Sequence, residues 1–193
     1  MNWTERQKEL IIKTIAIIAQ HGIQEFTTKN LAKNMGISEA AIYRHFQSKN
    51  EILSNIIDYL DQISDETLNE SNQSQFNSFE KAKNFVLSRF KLFSRQPDLA
   101  HIMFNNSIFK NDFDLSCKMF SLMSKHQSYL FNNIKKAKEE GIITADIDKD
   151  TIFLIIIGPV RLLVNQWIMS KCAFDLEIRG LNLVQELEKL LKK

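Results

Sequence analysis

The chain has 193 residues, 44% hydrophobic and 25% charged, with a formal net charge of +2; this suits one soluble domain or two small ones with a sizeable core, and excludes a disordered or strongly polyionic chain. It holds only 5 glycines and 2 prolines, where average usage gives roughly 13 and roughly 10. With no G-x-G-x-x-G, G-x-x-x-x-G-K-[ST] or G-x-S-x-G, dinucleotide cradles, P-loops and nucleophile elbows have no basis in the sequence, and turn-rich β folds are excluded for want of residues that accept φ > 0.

The charge is unevenly spread. Residues 1–50 carry 7 Lys/Arg against 4 Asp/Glu, and residues 51–80 carry none against 7, so a modestly basic section precedes an acidic one. Cys117 and Cys172 form neither a metal-type spacing nor a C-x-x-C, which predicts reduced thiols, a cytoplasmic setting and no metal or other cofactor. Two apolar stretches invite confusion with a signal peptide and a membrane span. Lys13 interrupts the one from Leu10 to Ala19, and Arg161, Asn165 and Gln166 interrupt the one from Ile152 to Met169, so both are predicted to be buried helices, with no membrane partner.

In chain order, Thr4-Glu5-Arg6-Gln7 is a capping box, and Ile11, Ile15, Ile18 and Ala19 follow at helical spacing. The first helix is predicted from about Glu5 to Gln20, closed by Gly22 in the left-handed conformation. Thr27 or Thr28 caps a two-turn helix that Gly36 ends, and Ser38 caps a third helix from Glu39 to Phe46. This is the layout of a helix-turn-helix, with Ala32 small enough for close approach and Leu31, Ile37 and Ile42 beneath. A second capping box, Ser48 to Glu51, opens a long helix to about Leu68, and Asn69 to Ser78 is a loop. Further helices are predicted over about 79–94, 98–106, 112–140, 148–170 and 176–191. Gly158-Pro159 is expected to kink the penultimate helix, and Gly180 to interrupt or start the last. The fold class is therefore all-α with about nine helices. The functional boundary is placed near Asn50, dividing the chain into residues 1–50 and 51–193.

The run from Ile11 to Leu53 resembles the DNA-binding domain of the TetR family of one-component transcriptional regulators, of the AcrR-like kind. The family pattern is an apolar helix ending in A-x-x-x-G, then T-T-x-x-[IL]-A-x-x-x-G-[VI]-S-x-x-x-[IL]-Y-x-[YH]-F-x-[SN]-K-x-x-L. Here Thr27, Thr28, Leu31, Ala32, Gly36, Ile37, Ser38, Ile42, Tyr43, His45, Phe46, Ser48 and Lys49 fill it in register, while Ala19 precedes Gly22 by three residues instead of four and Leu53 falls one position beyond the final leucine of the pattern. Ala40-Ala41 departs from a frequent Gly-Thr.

The resemblance implies that the third helix enters the major groove, where each base pair shows a distinct edge. Ala40 and Ala41 then approach the bases and suit a thymine methyl. Thr28, Ser38, Tyr43, His45 and Lys49 are candidates for phosphate contacts, with Lys29 and Arg44 as further ones. Glu39 is unfavourable beside phosphates and faces either a cytosine amino group or water. Phe46 is assigned to the core.

The resemblance further implies a C-terminal pocket for a small, largely apolar effector. Its candidate lining is Phe90, Phe93, Met103, Phe104, Phe120, Met123, His126 and Trp167. Homodimerisation is expected through the last two helices, since the penultimate one is apolar on most of its surface. The reading is a homodimeric regulator, a repressor released from a pseudo-palindromic double-stranded operator by its effector. An alternative is a helix-turn-helix regulator whose C-terminal half serves only dimerisation or protein partner binding. An enzyme is not expected: the four histidines are scattered and no nucleophile is paired with a base.

Overall fold

The computed structural model describes residues 3–72, 75–105, 108–144 and 146–192. Among them are nine α-helices and no strand: α1 (Glu5–His21), α2 (Thr28–Met35), α3 (Glu39–Tyr43), α4 (Lys49–Ser71), α5 (Ser78–Arg95), α6 (Pro97–Phe104), α7 (Phe113–Glu139), α8 (Lys149–Met169) and α9 (Leu176–Leu191). The end of α6 expected at Asn106 lies outside the described residues. The chain forms two compact units that are discontinuous in sequence. The first comprises residues 1–64 and 101–122, the second 65–100 and 123–193.

In the first unit, α1 packs on α2 and α2 on α3. The capping box of α1 is complete: Thr4 accepts from the Gln7 N–H, and the Gln7 side chain accepts from the Thr4 N–H. Leu10, Ile11, Ile15, Ile18, Phe26, Leu31, Ile42, Phe46, Ile52 and Ile56 are buried as one apolar core. Gly36 closes α2 with φ 63 and ψ 32, the left-handed geometry that an L side chain resists. Gly22 departs from expectation. Its N–H does return to the Ile18 carbonyl, but φ 87 with ψ 164 lies outside the left-handed helical region, because the chain leaves α1 directly into a 3-10 turn, Ile23–Glu25.

Helix α3 is shorter than predicted. It ends at Tyr43, and Arg44 and His45 form a turn, with the N–H groups of His45 and Phe46 both reaching the Ile42 carbonyl. At the start of α4, Ser48 Oγ accepts from the Glu51 N–H, while the Glu51 carboxylate accepts from the Gln47 N–H rather than from Ser48, so the second capping box is shifted by one residue. Lys118 of α7 donates to Asp58 at 2.6 Å and to Ser54 Oγ at 2.7 Å, and Asn50 donates to Asp112 at 2.6 Å, fastening the first turns of α7 to α4.

In the second unit, α5 packs on α9 and α9 on α8. Gly180 neither interrupts nor starts the last helix. It lies inside α9, where an added Cβ would stand 2.2 Å from Phe90 Cδ2, so its missing side chain sets how closely α9 approaches α5. Helix α8 continues through Pro159. Leu154 (64%), Leu162 (59%) and Met169 (83%) of α8 are exposed in the protomer, and so are Ile178, Leu181 and Leu190 of α9. By length and composition alone α8 could cross a membrane. Its apolar outer face, shared with α9, is equally what a second protein surface covers.

Candidate nucleic-acid interface

The surface built by α2, α3 and the turn after α3 is defined by its caps. Thr27 Oγ1 accepts from the Asn30 N–H at 3.0 Å to start α2, and Ser38 Oγ accepts from the Ala41 N–H at 3.3 Å to start α3. Among the described residues nothing accepts the Ser38 hydroxyl proton, which leaves it for an outside acceptor. Ile42 is fully buried and pins α3 to the core, which turns the other side of this short helix to solvent.

Most of the residues expected to touch DNA are brought to that side. Lys29, Ser38, Glu39, Ala40, Tyr43 and Arg44 are exposed, while Thr28, Ala41, His45 and Lys49 are half-buried. Tyr43 is 49% exposed and so is not a core residue, whereas Phe46 is buried as assigned. His45 is held from behind, its carbonyl accepting from Gln7 Nε2 at 3.3 Å. The Lys49 ammonium stands 5.1 Å from the Phe26 ring centroid, a cation–π contact that orients its long stem.

One connection is absent from any sequence pattern. Thr28 Oγ1 donates to Glu39 Oε2 at 2.8 Å, and the Tyr43 hydroxyl lies 3.3 Å from the same Thr28 oxygen. Thr28 has a single hydroxyl proton and directs it to the carboxylate, so Tyr43 is the donor in the second bond. The two phosphate candidates are thus wired to Glu39, across 11 and 15 residues of sequence that no periodicity rule relates.

The residues expected to line an effector pocket divide between the units. Phe90, Phe93, Met123, His126 and Trp167 belong to the second, and Met103, Phe104 and Phe120 to the first. Phe90, Phe93, Met103, His126 and Trp167 are buried, and Met123 and Phe104 half-buried. Phe120 is a correction: it is 73% exposed on α7, because its helix face is the one turned away from the core that Met119 and Leu122 enter. Trp167 uses its ring N–H on the Phe174 carbonyl at 2.9 Å, tying α8 to the turn before α9.

Within the second unit, α5 and α7 enclose a polar group. Arg89 is buried, its guanidinium 4.7 Å from the Phe85 ring centroid and its Nη2 3.4 Å from His126 Nε2. Burial lowers the Arg89 pKa to about 10, so it remains a cation at neutral pH. Burial, then the positive charges of Arg89 and Lys125, push His126 down to about 3, so the imidazole is neutral. The Tyr129 hydroxyl is buried with no hydrogen-bond partner among the described residues, and its ring packs on Phe85 at 5.3 Å. Sequence reading selects His126 but passes over Arg89 and Tyr129. Arg89 was detectable: Ala82, Phe85, Val86, Phe90 and Phe93 mark the buried stripe of α5, and position 89 falls inside it.

Comparison with known proteins agrees with this arrangement. The description "Bacterial regulatory proteins, tetR family" matches residues 10–56, and "YsiA-like protein, C-terminal region" matches residues 54–192. Among curated relatives, the nucleoid occlusion factor SlmA of Edwardsiella ictaluri is 26% identical over 139 residues, 71% of this chain and 70% of the relative. The probable acrEF/envCD operon repressor of Escherichia coli K12 is 23% identical over 176 residues, 88% of this chain and 79% of the relative. The solved structure of the transcriptional regulator FadR from Bacillus subtilis in complex with stearoyl-CoA has the same fold, with a TM-score of 0.80 at 19% identity over 97% of this chain and 99% of that one. Matched along nearly its whole length, with its helix-turn-helix facing solvent, the chain belongs to the TetR family of bacterial regulatory proteins and is a DNA-binding transcriptional regulator rather than an enzyme.

Proposed function

We propose that the protein is a cytoplasmic repressor that binds a pseudo-palindromic operator as a homodimer and is released by a small, largely apolar effector. The observation that carries this reading is the solvent-facing set Lys29, Ser38, Ala40, Tyr43 and Arg44 on a helix-turn-helix whose other side is locked into the core. Thr28, Lys29, Ser38, Tyr43, Arg44, His45 and Lys49 position the duplex through its phosphates, and Ala40 and Ala41 lie against base edges.

The exposed apolar residues of α8 and α9, Leu154, Leu162, Met169, Ile178, Leu181 and Leu190, are assigned to the contact with a second copy. A two-fold dimer sets its recognition helices about 34 Å apart, one turn of duplex. Residues 1–50 bind DNA and residues 51–193 sense and dimerise. Phe90, Phe93, Met123, His126 and Trp167, all of the second unit, are proposed to surround the effector. The buried Tyr129 hydroxyl, whose ring packs on Phe85 as the Arg89 guanidinium does, supports a polar end for that site, since a buried donor without a partner costs free energy that a ligand oxygen recovers. The structural neighbour that holds stearoyl-CoA supports an effector with an apolar chain and an anionic end. Helix α4, which Lys118 grips through Asp58 and Ser54, is the element through which the effector alters the DNA-binding spacing.

The test is fluorescence anisotropy with DNA from the chain's own promoter region, titrated with acyl thioesters of increasing chain length, together with light scattering for mass. The reading requires a dimer and release by a long-chain compound; a monomer that binds DNA with unchanged affinity at every chain length overturns it. A relative named for nucleoid occlusion rather than for an operon favours a second reading, in which the C-terminal half dimerises or meets a protein and takes no effector. That reading requires a dimer insensitive to all the compounds.

A further inference from the structure

Glu39 is the one acidic side chain on the exposed face of α3. No Lys or Arg among the described residues forms a salt bridge with it. Its partner is the Thr28 hydroxyl at 2.8 Å, which in turn accepts from Tyr43 at 3.3 Å. The Thr28 hydroxyl proton is therefore already directed, in the free protein, onto a carboxylate that occupies the place of an anion, and the Tyr43 proton onto the Thr28 oxygen behind it.

From this geometry we infer that Glu39 is a specificity-determining residue: it holds Thr28 and Tyr43 away from DNA phosphates until a cytosine amino group in the major groove takes the carboxylate. The inference rests on the DNA-binding reading of this surface. On an arbitrary sequence, engaging the phosphates with Thr28 and Tyr43 breaks the bond to Glu39 and leaves a negative charge beside the negatively charged backbone, which disfavours binding. A site that offers a hydrogen-bond donor at the right position compensates for both. Two bases present an amino group in the major groove. The amino group of adenine is flanked by its own N7 acceptor, which repels a carboxylate, whereas that of cytosine is flanked by a C–H, so cytosine is selected. Ala40 is exposed and Ala41 half-buried, and their methyl groups are short enough to let the carboxylate reach the base edge. The same carboxylate thus weakens binding to bulk DNA and favours one base in each half-site.

The experiment compares the wild-type protein with Glu39→Ala and Glu39→Gln in two measurements. The first is affinity for a mixed-sequence duplex at about 0.1 M salt. The second is selection of bound sites from a randomised duplex pool. Glu39→Ala is expected to bind the mixed duplex about fivefold more tightly, and to lose the preference, roughly tenfold in the wild type, for cytosine at one position per half-site. Glu39→Gln is expected to show the same tightening, because it removes the charge. Unchanged affinity for the mixed duplex, or selected sites that keep the same preference at every position, overturns the inference. Tyr43→Ala and Lys49→Ala serve as controls for the underlying reading. If they bind as tightly as wild type, the surface itself is misassigned, whereas if they bind weakly and the Glu39 variants match wild type, only the role of Glu39 fails.

Discussion

The α2–α3 surface and the α5–α7 interior use the same chemistry, a hydroxyl, a cation and a histidine, in opposite surroundings. On the surface, Thr28, Tyr43, Lys49 and His45 are wet or half-buried. In the interior, Arg89, His126 and Tyr129 are desolvated enough to shift all three ionisations. The surface group can be altered with little effect on folding, because its core partners Ile42 and Phe46 do the anchoring. The interior group is part of the folded state's energetics, so binding and stability are inseparable there.

The largest expected effect comes from the interior packing. Gly180→Val drives its Cβ into the Phe90 ring and is expected to lower stability by about 3 kcal/mol, read as a fall in the denaturant midpoint with unchanged slope. The surface makes the opposite case. Tyr43→Ala and Lys49→Ala are each expected to weaken DNA binding about tenfold, ~1.4 kcal/mol, with the thermal midpoint unmoved. A drop in stability to match the drop in affinity removes the contrast between the regions.

The contrast sharpens with pH. Unfolded, His126 takes up its proton near 6.5, but folded only near 3. Between those values the unfolded chain binds the extra proton, so stability falls as the pH is lowered through this window, by up to about 1.4 kcal/mol per pH unit. His126→Gln is expected to flatten that part of a stability–pH curve.

The smallest effect tests the turn between α8 and α9. Lys171 and Cys172 both have positive φ, 54 and 60, a conformation that suits glycine. Lys171→Gly is expected to raise stability by about 0.5 kcal/mol by chemical denaturation, a gain limited by the added freedom of the unfolded chain.

How far the sequence anticipates this structure follows the same divide. The helix-turn-helix is legible because its signals are local: Thr27 and Ser38 as caps, Gly36 as the corner, Leu31 and Ile42 at helical spacing. The elements of the second unit are legible too, but not their mutual approach. Gly180 reads as a break because a lone glycine disfavours helix, and only Phe90, far away in sequence, explains it. Phe120 reads as interior because aromatic residues usually are, yet its helix face points outward. The Thr28–Glu39–Tyr43 chain is hidden because it depends on the angle between two helices, which no spacing encodes.

The most direct test of the central claim, that the α2–α3 surface holds DNA through its phosphates, is the salt dependence of binding for wild type and Lys49→Ala. Each neutralised phosphate adds a slope of about −0.9 in a plot of log affinity against log salt. The account predicts a steep wild-type slope that becomes shallower by about 1.8 in Lys49→Ala, because each of the two subunits of a dimer then neutralises one phosphate fewer. Superimposable lines of equal slope and equal affinity contradict it.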